Sequence, residues 1–251
     1  MRITAAGRTD AGTVRPVNQD WLEWDLALGV FLVADGMGGH RAGEVAAHLA
    51  IETVQQFVAQ SVDAQDLTWP FGFDPSLSSD QNRLVTAVRL ANRRVCQSGA
   101  LHSEFSGMGT TLVAALVRDG RLTVAAVGDS RAYLWRLGTL TQLTTDDTWV
   151  ETVLGKDPQR GPAEHHPMRH VLTSVIGASD DRPPELVEQT LLPGDRVLLS
   201  TDGLHTVVAE ADLGARLGGS GPPDEAAAAL IEDALARRAS DNVTALVIHI
   251  D

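Results

Sequence analysis

Four aspartates occupy matching places in the chain. Asp35 follows the apolar run 29–34, Asp129 follows 122–128, Asp202 follows 196–201, and Asp241 stands just before the run 242–248. Each is expected at a strand end, where side chains from distant sequence can converge. Singly, an aspartate beside Gly or Asn after a strand is an ordinary turn residue; four of them at four strand ends resist that reading. Gathered in one cleft, four carboxylates repel one another and resist ionisation, a cost that bound divalent cations remove. An all-oxygen ligand set suits Mg²⁺ or Mn²⁺ and disfavours zinc. Two such ions bridged by a carboxylate acidify a shared water and stabilise an in-line displacement at phosphorus. The acids therefore point toward phosphoryl hydrolysis. Arg15, near the start of the chain, is a candidate clamp, because a guanidinium fork matches two phosphate oxygens and keeps its charge at any working pH. A lone arginine is otherwise a surface residue.

Positioning these groups requires a scaffold of strands. The run 28–34 reads as a buried strand stopped at Asp35-Gly36. A helix is predicted over 42–58, with Val45, Ala46, Leu49, Thr53 and Phe57 on one face, and another over 82–97. Residues 61–81 between them read as a long loop whose Trp69, Phe71 and Phe73 either pack over the core or form a partner patch. The segments 110–117 and 122–127 flank Asp119-Gly120, a strong hairpin signal. With strands at 132–136 and 140–143 they read as an antiparallel meander, which a doubly wound nucleotide fold does not contain. Residues 145–183 are polar, hold several prolines and histidines, and are expected to form a flap; His165, His166 and His170 there read as solvated. Regular structure resumes at 196–200, followed by a helix over 224–238 and a strand over 243–250. The fold class is α+β, with antiparallel sheets covered by helices.

The 251 residues suffice for one domain with a substantial core. The net charge of −13 repels nucleic acid and anionic membrane at long range. Attraction to a phosphate-bearing substrate must then be local. No stretch approaches the roughly 20 apolar residues of a membrane helix, and the start lacks a signal-peptide layout. Cys96 is the sole cysteine, too few for an internal disulfide or a cysteine-built zinc site. A cytoplasmic, monomeric protein is the expectation.

Six segments, in order along nearly the whole chain, resemble the signature motifs of the metal-dependent protein phosphatases, the type 2C serine/threonine family. They are Arg15-Pro-Val-Asn-Gln-Asp20, Val33-Ala-Asp-Gly-Met-Gly-Gly-His40, Gly107-Met-Gly-Thr-Thr111, Val127-Gly-Asp-Ser-Arg131, Ser200-Thr-Asp-Gly-Leu204 and Ser240-Asp-Asn-Val-Thr244. The resemblance implies a single catalytic domain over 1–251: two antiparallel sheets sandwiched between helices on both outer faces, with a variable flap at about 145–183. It implies two tightly bound Mn²⁺ or Mg²⁺ ions and a weaker third. Asp35 would bridge the tight pair with the Gly36 carbonyl on one ion, Asp202 and Asp241 would complete the other, and Asp129 would help hold the third. Asp20 would orient metal-bound water, and Arg15 would grip the substrate phosphate. Phosphoproteins, including those of a cognate serine/threonine kinase, would be the substrates.

Two positions depart from that pattern. Met37 stands where eukaryotic members often carry a histidine thought to protonate the leaving group, although bacterial members commonly share the methionine. A thioether cannot donate a proton, which leaves the general acid open between His40 and a metal-bound water. Gln19 replaces an acid found in other members. Two rival readings compete with the phosphatase reading. The spacing Gly38 to Gly43 fits a P-loop, but Glu44 and Val45 follow where Lys and Ser or Thr are needed, so that reading fails. A non-catalytic, phosphatase-like binding module remains as the alternative, though the acids of a two-metal centre are all present.

Overall fold

The structure is a computed structural model that describes residues 1–39, 41–62, 68–154, 167–168, 170–178 and 182–251. The strands are β1 (Ile3–Asp10), β2 (Asp20–Asp25), β3 (Val30–Met37), β4 (Gly109–Thr110), β5 (Leu112–Arg118), β6 (Arg121–Val127), β7 (Arg131–Arg136), β8 (Thr139–Gln142), β9 (Glu185–Thr190), β10 (Arg196–Ser200) and β11 (Val243–Ile250). The principal helices are α1 (Ala42–Ser61), α2 (Ser79–Leu101), α3 (Asp202–His205), α4 (Glu210–Leu217) and α5 (Pro223–Ala236). One sheet runs β1-β11-β10-β7-β8 and the other β2-β3-β5-β6-β9, with β4 added to β3. Every pairing is antiparallel.

Side-chain alternation turns these strands into layers. Along β3, Val30, Leu32 and Ala34 pack against α1 and α2, while Phe31 and Val33 enter the core between the sheets. Along β11, Leu246, Ile248 and Ile250 enter that same central core, and Val243, Ala245 and Val247 meet α3–α5 on the opposite side. A strand with two buried faces must be apolar throughout, which is why both runs lack the alternation of a half-exposed strand. The result is the expected α/β/β/α sandwich.

Several details differ from the sequence reading. The stretch 110–143 is not one meander: the β5–β6 hairpin belongs to one sheet and the β7–β8 hairpin to the other. The chain passes between sheets at Gly128-Asp129-Ser130, where Gly128 takes φ +98°. Asp35 does not end its strand, because β3 continues to Met37 by pairing Gly36 with Thr110 and Met37 with Gly109. Strands β1, β2 and β9 and helix α4 had no apolar run to announce them. β2 (Asp-Trp-Leu-Glu-Trp-Asp) and β9 (Glu-Leu-Val-Glu-Gln-Thr) are edge strands, where polar residues are tolerated. α2 starts three residues earlier than expected, at a capping box in which Ser78 and Gln81 bond each other's backbone N–H. In the 68–78 loop, Phe71 lies beneath the Arg93 guanidinium of α2, 4.3 Å from its ring centre. The expected flap lies partly outside the described residues.

Candidate metal and phosphate site

Both sheets deliver their acids to one place. Asp20 opens β2 and stands opposite Asp35 on β3. Asp129 lies in the crossing between sheets, Asp202 is the first residue of α3 directly after β10, and Asp241 precedes β11. Hydroxyls fix this arrangement. The Asp35 N–H donates to Thr111 Oγ1 at 2.9 Å, and Thr110 Oγ1 donates to the Asp35 carbonyl at 2.8 Å. Thr111 Oγ1 also meets Ser130 Oγ at 2.7 Å, tying the Asp35 strand to the crossing that carries Asp129. Behind them, Asp20 Oδ2 accepts from Thr201 Oγ1 at 2.8 Å and from Thr244 Oγ1 at 2.6 Å. Gly36 permits α1 to approach, since a Cβ there would stand 2.1 Å from the Gly43 carbonyl oxygen.

A cavity of about 510 Å³ opens among Arg15, Asp35, Gly36, Asp129, Asp202 and Asp241. Five separate segments thus bring together every sequence-predicted residue except two. Asp20 lies behind the cavity wall, 3% exposed, and His40 is outside the described residues, as are His165 and His166. Arg15 does not stand alone on the surface: its Nη2 donates to Asp241 Oδ2 at 2.8 Å. His170, expected as a solvated flap residue, is exposed and also lines the cavity with Leu172. Nothing in its local sequence signals this, because a loop's path over a distant site leaves no periodicity. Thr111 and Asn242, which the sequence reading gave no role, also line the cavity.

The electrostatics follow from burial. Burial first, then the charges of Asp20 and Asp202, hold the Asp35 carboxyl well above the usual carboxylate range. Asp20 is pushed up to about 7 by burial, against the lowering effect of its two threonine donors. Asp129 is raised to about 7 by burial and then by Asp202 and Asp146. Asp202 is raised by burial and then by Asp241, while a hydrogen bond with Asp35 works in the other direction. Two oxygens, Asp20 Oδ1 and Asp202 Oδ1, are buried without a partner. Such a group needs either protons or cations. Among the described residues no group of three or more His, Cys, Asp or Glu side chains is preformed to hold a metal ion; the acids line an open cavity instead. That fits hard cations that keep several of their own waters, the habit of Mg²⁺, and the donor set offers them oxygen only.

A family profile for protein phosphatase 2C matches residues 13–232. The chain is 34% identical over 248 residues to the serine/threonine protein phosphatase PstP of Mycobacterium tuberculosis, covering 98% of this chain and 44% of that protein. It therefore spans less than half the length of that relative. It is 32% identical over 246 residues to a putative protein phosphatase 2C-type of Streptococcus pyogenes, covering 96% of this chain and 95% of that one. Among solved structures, the catalytic domain of PstP in complex with two manganese ions superposes with a TM-score of 0.83 at 33% identity, covering 99% of each chain.

Proposed function

The chain belongs to the protein phosphatase 2C family, and on that premise we propose that it hydrolyses phosphoserine and phosphothreonine in other proteins with the help of divalent cations. The observation that carries the reading is the convergence of Asp35, Asp129, Asp202 and Asp241 on one cavity with Arg15 at its edge. Asp35, the Gly36 carbonyl, Asp202 and Asp241 would hold two Mn²⁺ or Mg²⁺ ions, and Asp129 a weaker third. When bound, such ions neutralise the acids, attract the phosphate and lower the pKa of water.

The rest is the work of the chain's own side chains. Arg15, already charged and within reach of the acids, turns its fork from Asp241 to two phosphate oxygens and sets the orientation of the phosphoryl group. Asp20 presents its unpartnered Oδ1 to a water while the two threonines hold its other oxygen, which fixes the direction of that acceptor. A serine or threonine alkoxide needs a proton as it leaves. Met37 lines the cavity without a proton to give, so His40 stays the candidate donor from the chain. The whole span 1–251 would act as one catalytic domain, with 145–183 as its flap. The net charge of −13 argues against nucleic acid as a partner. Among the described residues no helix is long and apolar enough to cross a membrane; a monomer in the cytoplasm, serving the substrates of a serine/threonine kinase, is the setting proposed.

The test is turnover of a phosphothreonine peptide after exhaustive chelation and again after adding Mn²⁺ or Mg²⁺. Activity is expected only with metal. Full turnover in chelator would overturn the metal-assisted mechanism, and binding without turnover in saturating metal would favour a non-catalytic module.

A further inference from the structure

Arg15 sits at the tip of the connection between β1 and β2, residues 11–19, where 13–17 are exposed. Before Arg15 the connection is tied by Thr13, whose N–H and Oγ1 both donate to the Ala239 carbonyl at 2.9 Å. One buried side chain grips the connection on both sides of Arg15. Asn242, 4% exposed, donates from Nδ2 to the Ala11 carbonyl and to the Val17 carbonyl, both at 3.0 Å. Its Oδ1 accepts from the Gln19 N–H at 2.8 Å. Its own backbone N–H donates to Asp241 Oδ1 at 2.9 Å, the carboxylate whose other oxygen receives Arg15. Both N–H donors and the oxygen of the carboxamide are thus used, the donors before and after Arg15 and the acceptor beyond it. The orientation is fixed too, because a flipped amide would face two carbonyls with an oxygen.

We propose that Asn242 is a positioning residue that holds the Arg15 loop at a set distance from Asp241, so that the phosphate clamp and the acid cluster meet one phosphoryl group together. The inference rests on the proposed phosphatase reading for its substrate, and its geometry is this chain's own. Asn242 touches no reacting atom; it acts through Arg15. A side chain that merely stabilised the fold would lower the melting temperature without selecting among kinetic constants. A positioning residue raises KM through the residue it positions, and loses that effect once the residue is gone.

The experiment is steady-state kinetics on a phosphothreonine peptide in saturating Mn²⁺, for the wild type, Arg15→Ala, Asn242→Ala and the double variant. Asn242→Ala is expected to raise KM about tenfold and to leave kcat within about threefold. The double variant should match Arg15→Ala alone, to within about twofold in KM. Mn²⁺ affinity by calorimetry should stay within about threefold of wild type, since the backbone donation to Asp241 survives the substitution. Amide exchange at Gln19 should accelerate while β11 stays protected. KM effects that multiply in the double variant, or a loss of kcat and Mn²⁺ affinity at unchanged KM, would overturn the proposal. If Asn242→Ala does not fold, Asn242→Asp keeps the Gln19 contact and the shape but loses both donors. Its added charge would persist in an Arg15→Ala background, whereas a positioning effect would vanish there. Wild-type turnover in the same assay decides the phosphatase reading separately. Should it be absent, calorimetry with inorganic phosphate on the metal-loaded protein reads the clamp directly, and equal phosphate affinity in wild type and Asn242→Ala would sink the inference.

Discussion

At the scale of single residues, the site is a set of carboxyls crowded around one cavity, with Asp20 and Asp129 the most deeply buried. Asp35 carries the largest consequence, because it is half-buried in the cavity and stands opposite Asp20 across the β2–β3 pair. The shifts give a pH dependence with a definite sign. In the unfolded chain these groups titrate near 3.9; folded and without cations, Asp20 and Asp129 titrate at about 7 and Asp35 well above its usual value. Between about pH 4 and 7 the folded state therefore binds more protons than the unfolded one, and stability falls as pH rises through that window. Carboxylates lowered by partners, such as Asp195 beside Arg136, lose their contribution only below about pH 4. His205 and His249, held by burial below the usual imidazole range, oppose the decline in this window but are outnumbered by the raised acids. The melting temperature in chelator should fall from pH 5 to pH 7.5, and saturating Mn²⁺ should remove the decline. A flat or rising profile in chelator would show that the acids do not crowd one another as described.

Elements, rather than residues, decide where Asp129 goes. Thr111 lies under the crossing from β6 to β7, with its hydroxyl shared between Asp35 and Ser130. Gly128 makes the close approach possible: its φ is +98°, and a Cβ there would stand 2.7 Å from Thr111 Cγ2. Gly194 offers a matched comparison, since its φ of +94° is similar but a Cβ would meet nothing within 4 Å. Gly194→Ala should then cost only the left-handed backbone penalty of about 1–2 kcal/mol. Gly128→Ala adds an overpacked contact and should cost roughly 2–5 kcal/mol, with a fall in activity as Asp129 is displaced. Thermal unfolding of the two variants gives the comparison, and equal losses would mean that the Thr111 contact does not fix the crossing. The two hairpins flanking it show that local turn chemistry and global placement are separate matters. Asp119-Gly120 and Leu137-Gly138 both take positive φ at consecutive residues, as tight two-residue turns require, yet their strands join different sheets.

For the molecule as a whole, the charge of −13 sets a long-range field that opposes the approach of a phosphorylated peptide. Attraction is confined to the cavity, where Arg15 and the proposed cations act at contact range. Salt screens the first effect over about 10 Å and the second much less. Raising ionic strength from low values should therefore increase kcat/KM for a phosphopeptide with acidic flanks and decrease it for one with basic flanks. Parallel salt responses of the two peptides would mean that the local charges dominate at every distance.

Much of this protein was legible before any tertiary structure, and the reason is local. Strands buried on both faces must be continuously apolar, so β3 and β11 announce themselves; an Asp-Gly pair between such runs must turn; and an aspartate at or near the end of each apolar run marks where polar chemistry begins. The family's six motifs lie on these elements, which is why the sandwich and the acid cluster could be read together. The edge strands β1, β2 and β9 carry no such pattern, since one side of each meets solvent and tolerates charge. Which sheet each hairpin enters depends on packing summed over both cores, a quantity that no window of sequence contains. The same holds for contacts across the length of the chain. Arg15 meets Asp241, and Asn242 grips the backbone on either side of Arg15, over separations of more than 220 residues. His170 lines the cavity although nothing in its own sequence places it there. Residue types at strand ends determined what chemistry the chain could support; the pairing of strands between two sheets decided which of those residues face one another.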